Sequence, residues 1–418
     1  MAGLLPELAW RGLLQDQTPG LAERLAKGPV TAYVGFDPTA SSLQVGNLVP
    51  LMLLEHLRRA GGQPIVVLGG GTGLIGDPSG KQQERPLLDR HTLEENRRRQ
   101  DEQFRRLVPG VDIVNNADWL GQLSLVEFLR DVGKHFTVPI MLQKESVKAR
   151  MDAGISYTEF SYMLLQAYDF LHLYQTRRCE LQMGGSDQWG NITAGIELIR
   201  RREGTEAHGL SAPLITTSAG LKFGKTEGKS VWLEQTMTAP IEFYNFWVNV
   251  DDRDVERYLR MFTFLSAEEI RRLMAEHQAN PGARTPHHAL ASAVTDWVRP
   301  GTSQELSATL QGIFADVDAG DLASTIARLL PTTQPRSFAW DPSRPPKPED
   351  LFVAAGLASS KSDARRLLGG KGLSLNRKVP RAGEAVARDE VVTIDEGKFV
   401  LLQKGKKTYQ PLRITGLD

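Results

Sequence analysis

The spacing of apolar and polar positions divides the first half of the chain into alternating strands and helices. Thr31 to Phe36 is a β-branched, aromatic and small apolar run that Asp37-Pro38 stops, which predicts a strand. From Leu48 the apolar residues recur at helical spacing (Leu48, Leu51, Met52, Leu57), with Pro50 in the first turn, and a helix is expected. Pro64 to Leu68 and Val111 to Asn115 read as short buried strands. Thr92-x-x-Glu95, Ser124-x-x-Glu127 and Ser156-x-x-Glu159 are capping boxes that predict helix starts. Leu181 to Gly185 reads as a strand ending in Gly-Gly, with a helix from Trp189 and a further strand over Ser211 to Thr216. This rhythm calls for a parallel sheet.

The remainder is organised differently. Pro6 to Lys27 reads as a helical lead-in without chemistry. Tyr244 to Ala293 is helical and amphipathic, including Tyr258 to Phe264 and Ala267 to Glu276. Pro331, Pro335, Pro342, Pro345, Pro346 and Pro348 then predict a stiff linker and a domain boundary.

Bulk composition narrows the class. The 418 residues are 41% hydrophobic and 24% charged, values of a soluble globular chain with room for two or three domains. No apolar run approaches the ~18 residues that span a bilayer, and Met1 to Trp10 lacks the pattern of a secretory signal. Cys179 is the single cysteine; this excludes an internal disulfide and a cysteine-based metal site, and suits the reducing cytoplasm. The net charge is zero but unevenly shared. Asp341 to Asp418 holds 15 Lys+Arg against 10 Asp+Glu, or +5, which leaves 35 against 40, or −5, elsewhere. A basic tail on an acidic body suggests an acidic partner for the tail.

The candidate chemistry lies in the loops that follow strands. Between the strand ending at Phe36 and the helix from Leu48 lie Asp37, Thr39, Gln44, Gly46 and Asn47. A helix mouth beside a strand end offers free N–H groups and a positive dipole end, which suit phosphate. Gly71-Thr-Gly-Leu-Ile-Gly76 matches a dinucleotide fingerprint, but that motif must open a helix, and Asp77-Pro78-Ser79-Gly80 forbids one. It is no Walker loop either, because Ile75 and Gln82 stand where Gly and Ser or Thr are required. Tyr162, Gln166 and Asp169 form one stripe at i, i+4 and i+7 on an otherwise apolar helix. Such side chains need partners when buried, since each one left unsatisfied costs ~1–3 kcal/mol; a stripe facing water is the plain alternative. Lys222-Phe-Gly-Lys225-Thr226 sets two lysines on a glycine loop about 175 residues after the helix mouth.

Taken together, these motifs resemble the class I aminoacyl-tRNA synthetases, and within them the bacterial-type tyrosyl family. Tyr-Val-Gly-Phe-Asp-Pro-Thr39, Thr72-Gly-Leu-Ile-Gly-Asp-Pro-Ser-Gly-Lys81, Gly184-Gly-Ser-Asp-Gln-Trp-Gly-Asn191 and Lys222-Phe-Gly-Lys-Thr226 carry the likeness. The resemblance implies an α/β fold. It divides into a Rossmann-like catalytic domain (1–220), a signature loop with an α-helical, anticodon-side domain (221–330), the proline-rich linker (331–347) and a small α+β RNA-binding domain (348–418). It implies that tyrosine is activated by ATP, accompanied by Mg²⁺, and then transferred to tRNA(Tyr) by a cytoplasmic homodimer without a membrane anchor. The same resemblance gives catalytic roles to Thr39, Gln44, Lys81, Arg85, Lys222, Lys225 and Thr226. Tyr33, Asp77, Tyr162, Gln166, Asp169, Gln182 and Gln188 would hold tyrosine, with Asp169 and Tyr33 on its hydroxyl. Asp37, Gly46, Asn47, Asp187 and Lys225 would hold ATP. The final segment resembles the alpha-L RNA-binding motif. There Ser359 or Ser360 would cap a helix carrying Lys361, Arg365 and Arg366, with Lys371, Arg377 and Lys378 near the next turn. One position departs from the pattern: Gln44 stands where the family has His. A glutamine amide still donates but never carries charge, which leaves a catalytically silent RNA-binding protein as one alternative and the related tryptophanyl enzyme as another.

Overall fold

A computed structural model of the chain describes residues 1–79, 88–144, 147–148, 151, 154–218, 220, 223–226, 229–310, 321–333, 335–405 and 408–417. Two compact units result, Met1–Glu234 with Val250–Pro286, and Gln235–Asn249 with His287–Asp418. Their limits differ from the expected boundaries at 220 and 330. The helices Asp252–Phe262 and Ala267–Ala279 belong to the first unit, and Pro240–Val248 belongs to the second.

The first unit is built on a six-stranded sheet ordered β1-β6-β5-β2-β3-β4, from β1 (Asp16–Gln17), β2 (Thr31–Phe36), β3 (Gln63–Leu68), β4 (Asp112–Asn115), β5 (Cys179–Gly185) and β6 (His208–Ala212). Every pair is parallel except the edge pair β1–β6. The central strands β2 and β3 are largely apolar and buried, as strands of a parallel sheet covered on both faces are. The Leu48–Arg59 helix buries Leu51, Met52, Leu53, Leu54 and Leu57 completely, each contributing about 1.5–3 kcal/mol. The Tyr157–Arg177 helix packs Met163, Leu164, Ala167, Phe170, Leu171 and Leu173 into one cluster with Tyr33 and Ile65. The chain runs outward one way from β2 through β3 and β4, and the other way through β5 and β6. The crevice beyond the carboxyl ends of β2 and β5 is therefore a topological switch point, where open α/β sheets bind ligands.

Local signals set most element ends. Ser124 caps Leu125–Asp131 with a full capping box, and Ser156 Oγ accepts the Glu159 N–H at 3.2 Å. The third box fails. Asp89 caps Arg90–Leu107, and Thr92 instead donates both its N–H (3.0 Å) and its hydroxyl (2.7 Å) to Asp89. Aspartate caps as well as threonine does, and the carboxylate accepts two bonds at once. β6 spans His208–Ala212 rather than Ser211 to Thr216, since Pro213 cannot donate to a ladder. The lead-in holds two helices, Leu4–Arg11 and Leu21–Ala26, with β1 between them. Arg11 is buried and donates to the carbonyls of Arg260 (2.9 Å), Thr263 (2.7 Å) and Leu265 (3.0 Å), which closes the end of the Asp252–Phe262 helix.

The second unit contains Pro240–Val248, the Thr285–Val298 helix from His287 onward, Leu322–Leu329 and a five-stranded sheet. Its strands are β9 (Arg336–Ala339), β10 (Leu373–Leu375), β11 (Val392–Ile394), β12 (Gly397–Lys404) and β13 (Thr408–Thr415). β9 lies within the segment 331–347 expected to be a linker. Arg336-Ser-Phe-Ala lies between the prolines, pairs in parallel with β13, and leads into Trp340, which is buried in the cluster with Leu351, Phe352 and Leu412. Ser360 caps the Lys361–Gly369 helix. No helix among the described residues is long and apolar enough to cross a membrane.

Candidate active site

The site grows from the strand ends. β2 delivers Asp37, which accepts the Thr72 hydroxyl at 2.9 Å and the Tyr162 hydroxyl at 3.1 Å. Thr72 stands in the turn after β3 and accepts Asn116 Nδ2 at 2.9 Å. Asn116 follows β4 and also donates to Asp169 at 3.0 Å, while its Oδ1 receives the Gly71 N–H at 2.8 Å. Trp119 Nε1 supplies the second bond to Asp169, at 2.7 Å. A continuous chain thus runs from Tyr162 through Asp37, Thr72 and Asn116 to Asp169.

A second network lies over the end of β5. Gln188 donates to Asp77 at 2.7 Å, and Asp77 also receives the Ser79 N–H at 2.9 Å. Asn191 donates to Gln166 (3.0 Å), Gln188 (3.2 Å) and Ser79 (3.3 Å), and Gln166 donates to Gln188 at 3.3 Å. All three members of the stripe on the Tyr157–Arg177 helix therefore turn inward. Tyr162 and Asp169 are buried, which rules out a stripe facing water.

Electrostatics give this crevice one sign. Burial, then the negative charges of Asp37, Asp77 and Asp169, push the Tyr162 phenol well above its usual pKa. Burial raises the Asp169 carboxyl to about 7, against the opposing bonds from Asn116 and Trp119. Burial and the Asp169 charge raise Tyr33 well above its ordinary value. At the floor, Tyr33 and Gln182 are register partners on β2 and β5, and both are 1% exposed. Tyr33 Oη and Gln182 Oε1 have no hydrogen-bond partner among the described residues. Buried polar atoms are rarely left so.

The two loop motifs meet. Val45 N–H donates to Val231 O at 3.1 Å, Val231 N–H to Gly224 O at 3.1 Å, and Leu233 N–H to Leu43 O at 2.8 Å. Gly224 has φ +86°, and a Cβ there would lie 2.9 Å from Val45 Cγ2 and 3.6 Å from Gly46 N. Phe223 stacks on Phe262 (5.2 Å, 14°) and meets Tyr258 edge-on. After Gly224 come β7 (Lys225–Thr226) and β8 (Lys229–Ser230), which pair antiparallel. Of Lys225 and Thr226 only the backbone is described, and Lys81, Arg85 and Lys222 lie outside the described residues.

The other expected residues fall as follows. Thr39 is exposed beside Asp37, and Gly46 is exposed at the helix mouth. The Asn47 side-chain oxygen accepts the Gln44 N–H at 2.9 Å, so it shapes the turn. Asp187 lies in the turn after β5. Asp37, expected on ATP, is bonded within the Tyr162–Thr72 network. Sequence reasoning missed Thr72, Asn116, Trp119 and Asn191. Asn191 closes the Gly-Gly-Ser-Asp-Gln-Trp-Gly-Asn run and could have been found there; Asn116 and Trp119 carry no local signal beyond following a strand.

In the second unit the expected basic face is largely ion-paired. Lys361 meets Asp350 (2.6 Å), Arg365 meets the buried Glu349 (2.8 Å), and Arg366 meets Asp363 (2.7 Å). All three cations stay more than half exposed, and exposed pairs are weak enough for phosphate to compete. Arg377 is different. It donates to Asp321 O (2.9 Å) and Thr325 Oγ1 (2.5 Å) at the start of Leu322–Leu329, so it braces that helix. Lys371 and Lys378 are exposed.

A parallel sheet with two signature loops joined at its switch point defines a class, and similarity bears this out. Residues 25–314 match the family described as tRNA synthetases class I (W and Y), and the chain belongs to that family. Proteins named Tyrosine--tRNA ligase lie near it. One from Anaeromyxobacter dehalogenans is 49% identical, covering 99% of this chain and 100% of its own; one from Roseiflexus castenholzii is 47% identical, covering 99% and 100%. Among solved structures, a C-terminally truncated mitochondrial tyrosyl-tRNA synthetase of Aspergillus nidulans is 30% identical with a TM-score of 0.68, covering 74% of this chain and 94% of that one.

Proposed function

We propose that the chain is a tyrosine–tRNA ligase. It activates tyrosine with magnesium-bound ATP to tyrosyl adenylate and pyrophosphate, then transfers tyrosine to the 3′ end of tRNA(Tyr). The observation that carries this reading is the buried pair at the crevice floor, the Asp169 carboxylate with the unsatisfied Tyr33 hydroxyl. A phenol hydroxyl donates to Asp169 and accepts from Tyr33 at once. An indole N–H only donates and leaves Tyr33 unsatisfied, which disfavours tryptophan. The acidic ring of Asp37, Asp77 and Asp169 around Tyr162 supports an ammonium group above the phenol.

With the amino acid so held, its carboxylate attacks the α-phosphate in line. No side chain acts as nucleophile or base. Donors aimed at the leaving pyrophosphate lower the barrier: Gln44 and Thr39 from the first loop, Lys222, Lys225 and Thr226 from the second, and Lys81 and Arg85 from the loop between. Asp187, Gly46 and Asn47 hold the nucleotide. The junction of the loops through Val45, Val231 and Gly224 supports both acting on one triphosphate. The 348–418 segment takes tRNA phosphate through Lys361, Arg365, Arg366, Lys371 and Lys378. Leu125, Val126, Val138, Ile140 and Tyr157 are exposed apolar side chains in the first unit, which supports a homodimer. The use of ATP and tRNA supports a cytoplasmic setting. The test is tyrosine-dependent exchange of labelled pyrophosphate into ATP; absence of exchange leaves the silent RNA-binding alternative standing.

A further inference from the structure

The acceptor for the substrate hydroxyl is itself held by a residue on a very short helix. Trp119 belongs to a four-residue helix, Ala117–Leu120, too short to fix an indole by its own hydrogen bonding. Its N–H must nevertheless point at Asp169 Oδ1, 2.7 Å away. Trp119 is 9% exposed within the core cluster, and an oriented contact on its ring comes from His172, whose imidazole stacks on it with centroids 4.4 Å apart and planes 16° from parallel. His172 lies three residues beyond Asp169 on the same helix, so one helix face supplies both the carboxylate and the surface that orients its donor. Both rings also line a cavity of about 710 Å³ beside the edge strand β4, with Arg97, Asp112 and Arg177. Solvent there can take up a side chain that swings away. Burial, then the nearby Arg177, lowers the His172 pKa, so the ring stacks as a neutral aromatic at neutral pH.

We propose that His172 is a positioning residue for substrate selection: by stacking on Trp119 it holds the indole N–H on Asp169, and so keeps that carboxylate aimed at the substrate's phenol hydroxyl. The inference rests on Asp169 being the acceptor for that hydroxyl. Loss of the stack frees the indole, and Asp169 Oδ1 loses a charge-assisted bond. The carboxylate then turns, or protonates and holds the hydroxyl less strongly. A substrate without the hydroxyl does not sense the change.

The experiment compares tyrosine with phenylalanine in pyrophosphate exchange by the full chain. His172→Ala should lower kcat/KM for tyrosine about two- to tenfold, the range of an aromatic pair, through KM. The much slower phenylalanine reaction should be unchanged, which also serves as the control for folding. His172→Phe, which keeps a flat ring, should restore tyrosine selectivity; His172→Leu, which fills space without stacking, should not. A parallel loss for both substrates, no loss for either, or rescue by leucine overturns the inference. Asp169→Asn separates the two layers of argument. If it leaves tyrosine preferred, the pocket reading fails and this inference with it; if it abolishes preference while His172→Ala does not, this inference alone fails.

Discussion

Tyr33→Phe should move stability and selectivity in opposite directions. Tyr33 is 1% exposed, and its hydroxyl has no partner among the described residues. An unsatisfied buried hydroxyl costs the free protein ~1–3 kcal/mol. The phenylalanine ring keeps the same edge contact with Phe170, whose centroid lies 5.4 Å away, so no cavity opens. The variant without ligand should therefore resist urea as well as the parent or better, by up to about 2 kcal/mol after losses in packing. Tyrosine meanwhile loses one neutral hydrogen bond, about 0.5–1.5 kcal/mol, or about two- to twelvefold in kcat/KM. Phenylalanine loses nothing. Urea titration monitored by tryptophan fluorescence and competitive pyrophosphate exchange measure the two effects on one preparation. A clear destabilisation with unaltered selectivity would refute the reasoning, because Tyr33 Oη would then be serving the fold and not the ligand.

Five further outcomes are expected. The Asp169 pKa is raised to about 7 from 3.8, so the unfolded state ionises first, and this group's contribution to stability is lost as pH rises from about 4 to 7; Asp169→Asn should flatten that part of the stability profile in urea titrations. Gly224→Ala meets both a left-handed backbone and a contact of 2.9 Å with Val45; at ~1–2 kcal/mol of strain it should slow activation about tenfold in single-turnover assays while tyrosine affinity, read by equilibrium dialysis, holds. Gln44→Ala should reduce the adenylate-forming rate ~10²–10³-fold with tyrosine binding intact; an unchanged pre-steady-state rate would make Gln44 a spectator. Arg365→Ala with Arg366→Ala should weaken tRNA binding and reduce its salt slope by roughly 0.7–0.9 per cation, with exchange unaffected; Arg377→Ala should instead lower the unfolding midpoint of the second unit.

Much of the catalytic frame is legible in the amino-acid sequence, because its signals are local. β2 occupies Thr31–Phe36 as expected, since an apolar run stopped by Asp-Pro has few alternatives. The helix after Gly-Gly begins at Trp189, and Ser156 caps the helix that brings Tyr162, Gln166 and Asp169 inward. What escapes such reading depends on distant segments. β1 is two residues that become a strand only by lying against β6. β9 hides among prolines because its ladder partner lies about 75 residues later. Asn116 and Trp119 matter because of Asp169, 53 and 50 residues away. Arg377 reads as a phosphate ligand by its charge, yet its partners are a carbonyl and a hydroxyl on another element.

The three bonds of Arg11 turn a plain lead-in into a mechanical fixture. Arg11 ties off the Asp252–Phe262 helix, that helix presents Tyr258 and Phe262 to Phe223, and Phe223 precedes the glycine on which the second loop turns. Tension applied at the amino end is thus delivered, through one guanidinium and two aromatic contacts, to the pivot of the catalytic clasp. For anyone attaching a tag, a label or a surface tether, the far end of the 408–415 strand is the gentler point of attachment, and the first dozen residues are best left as they are.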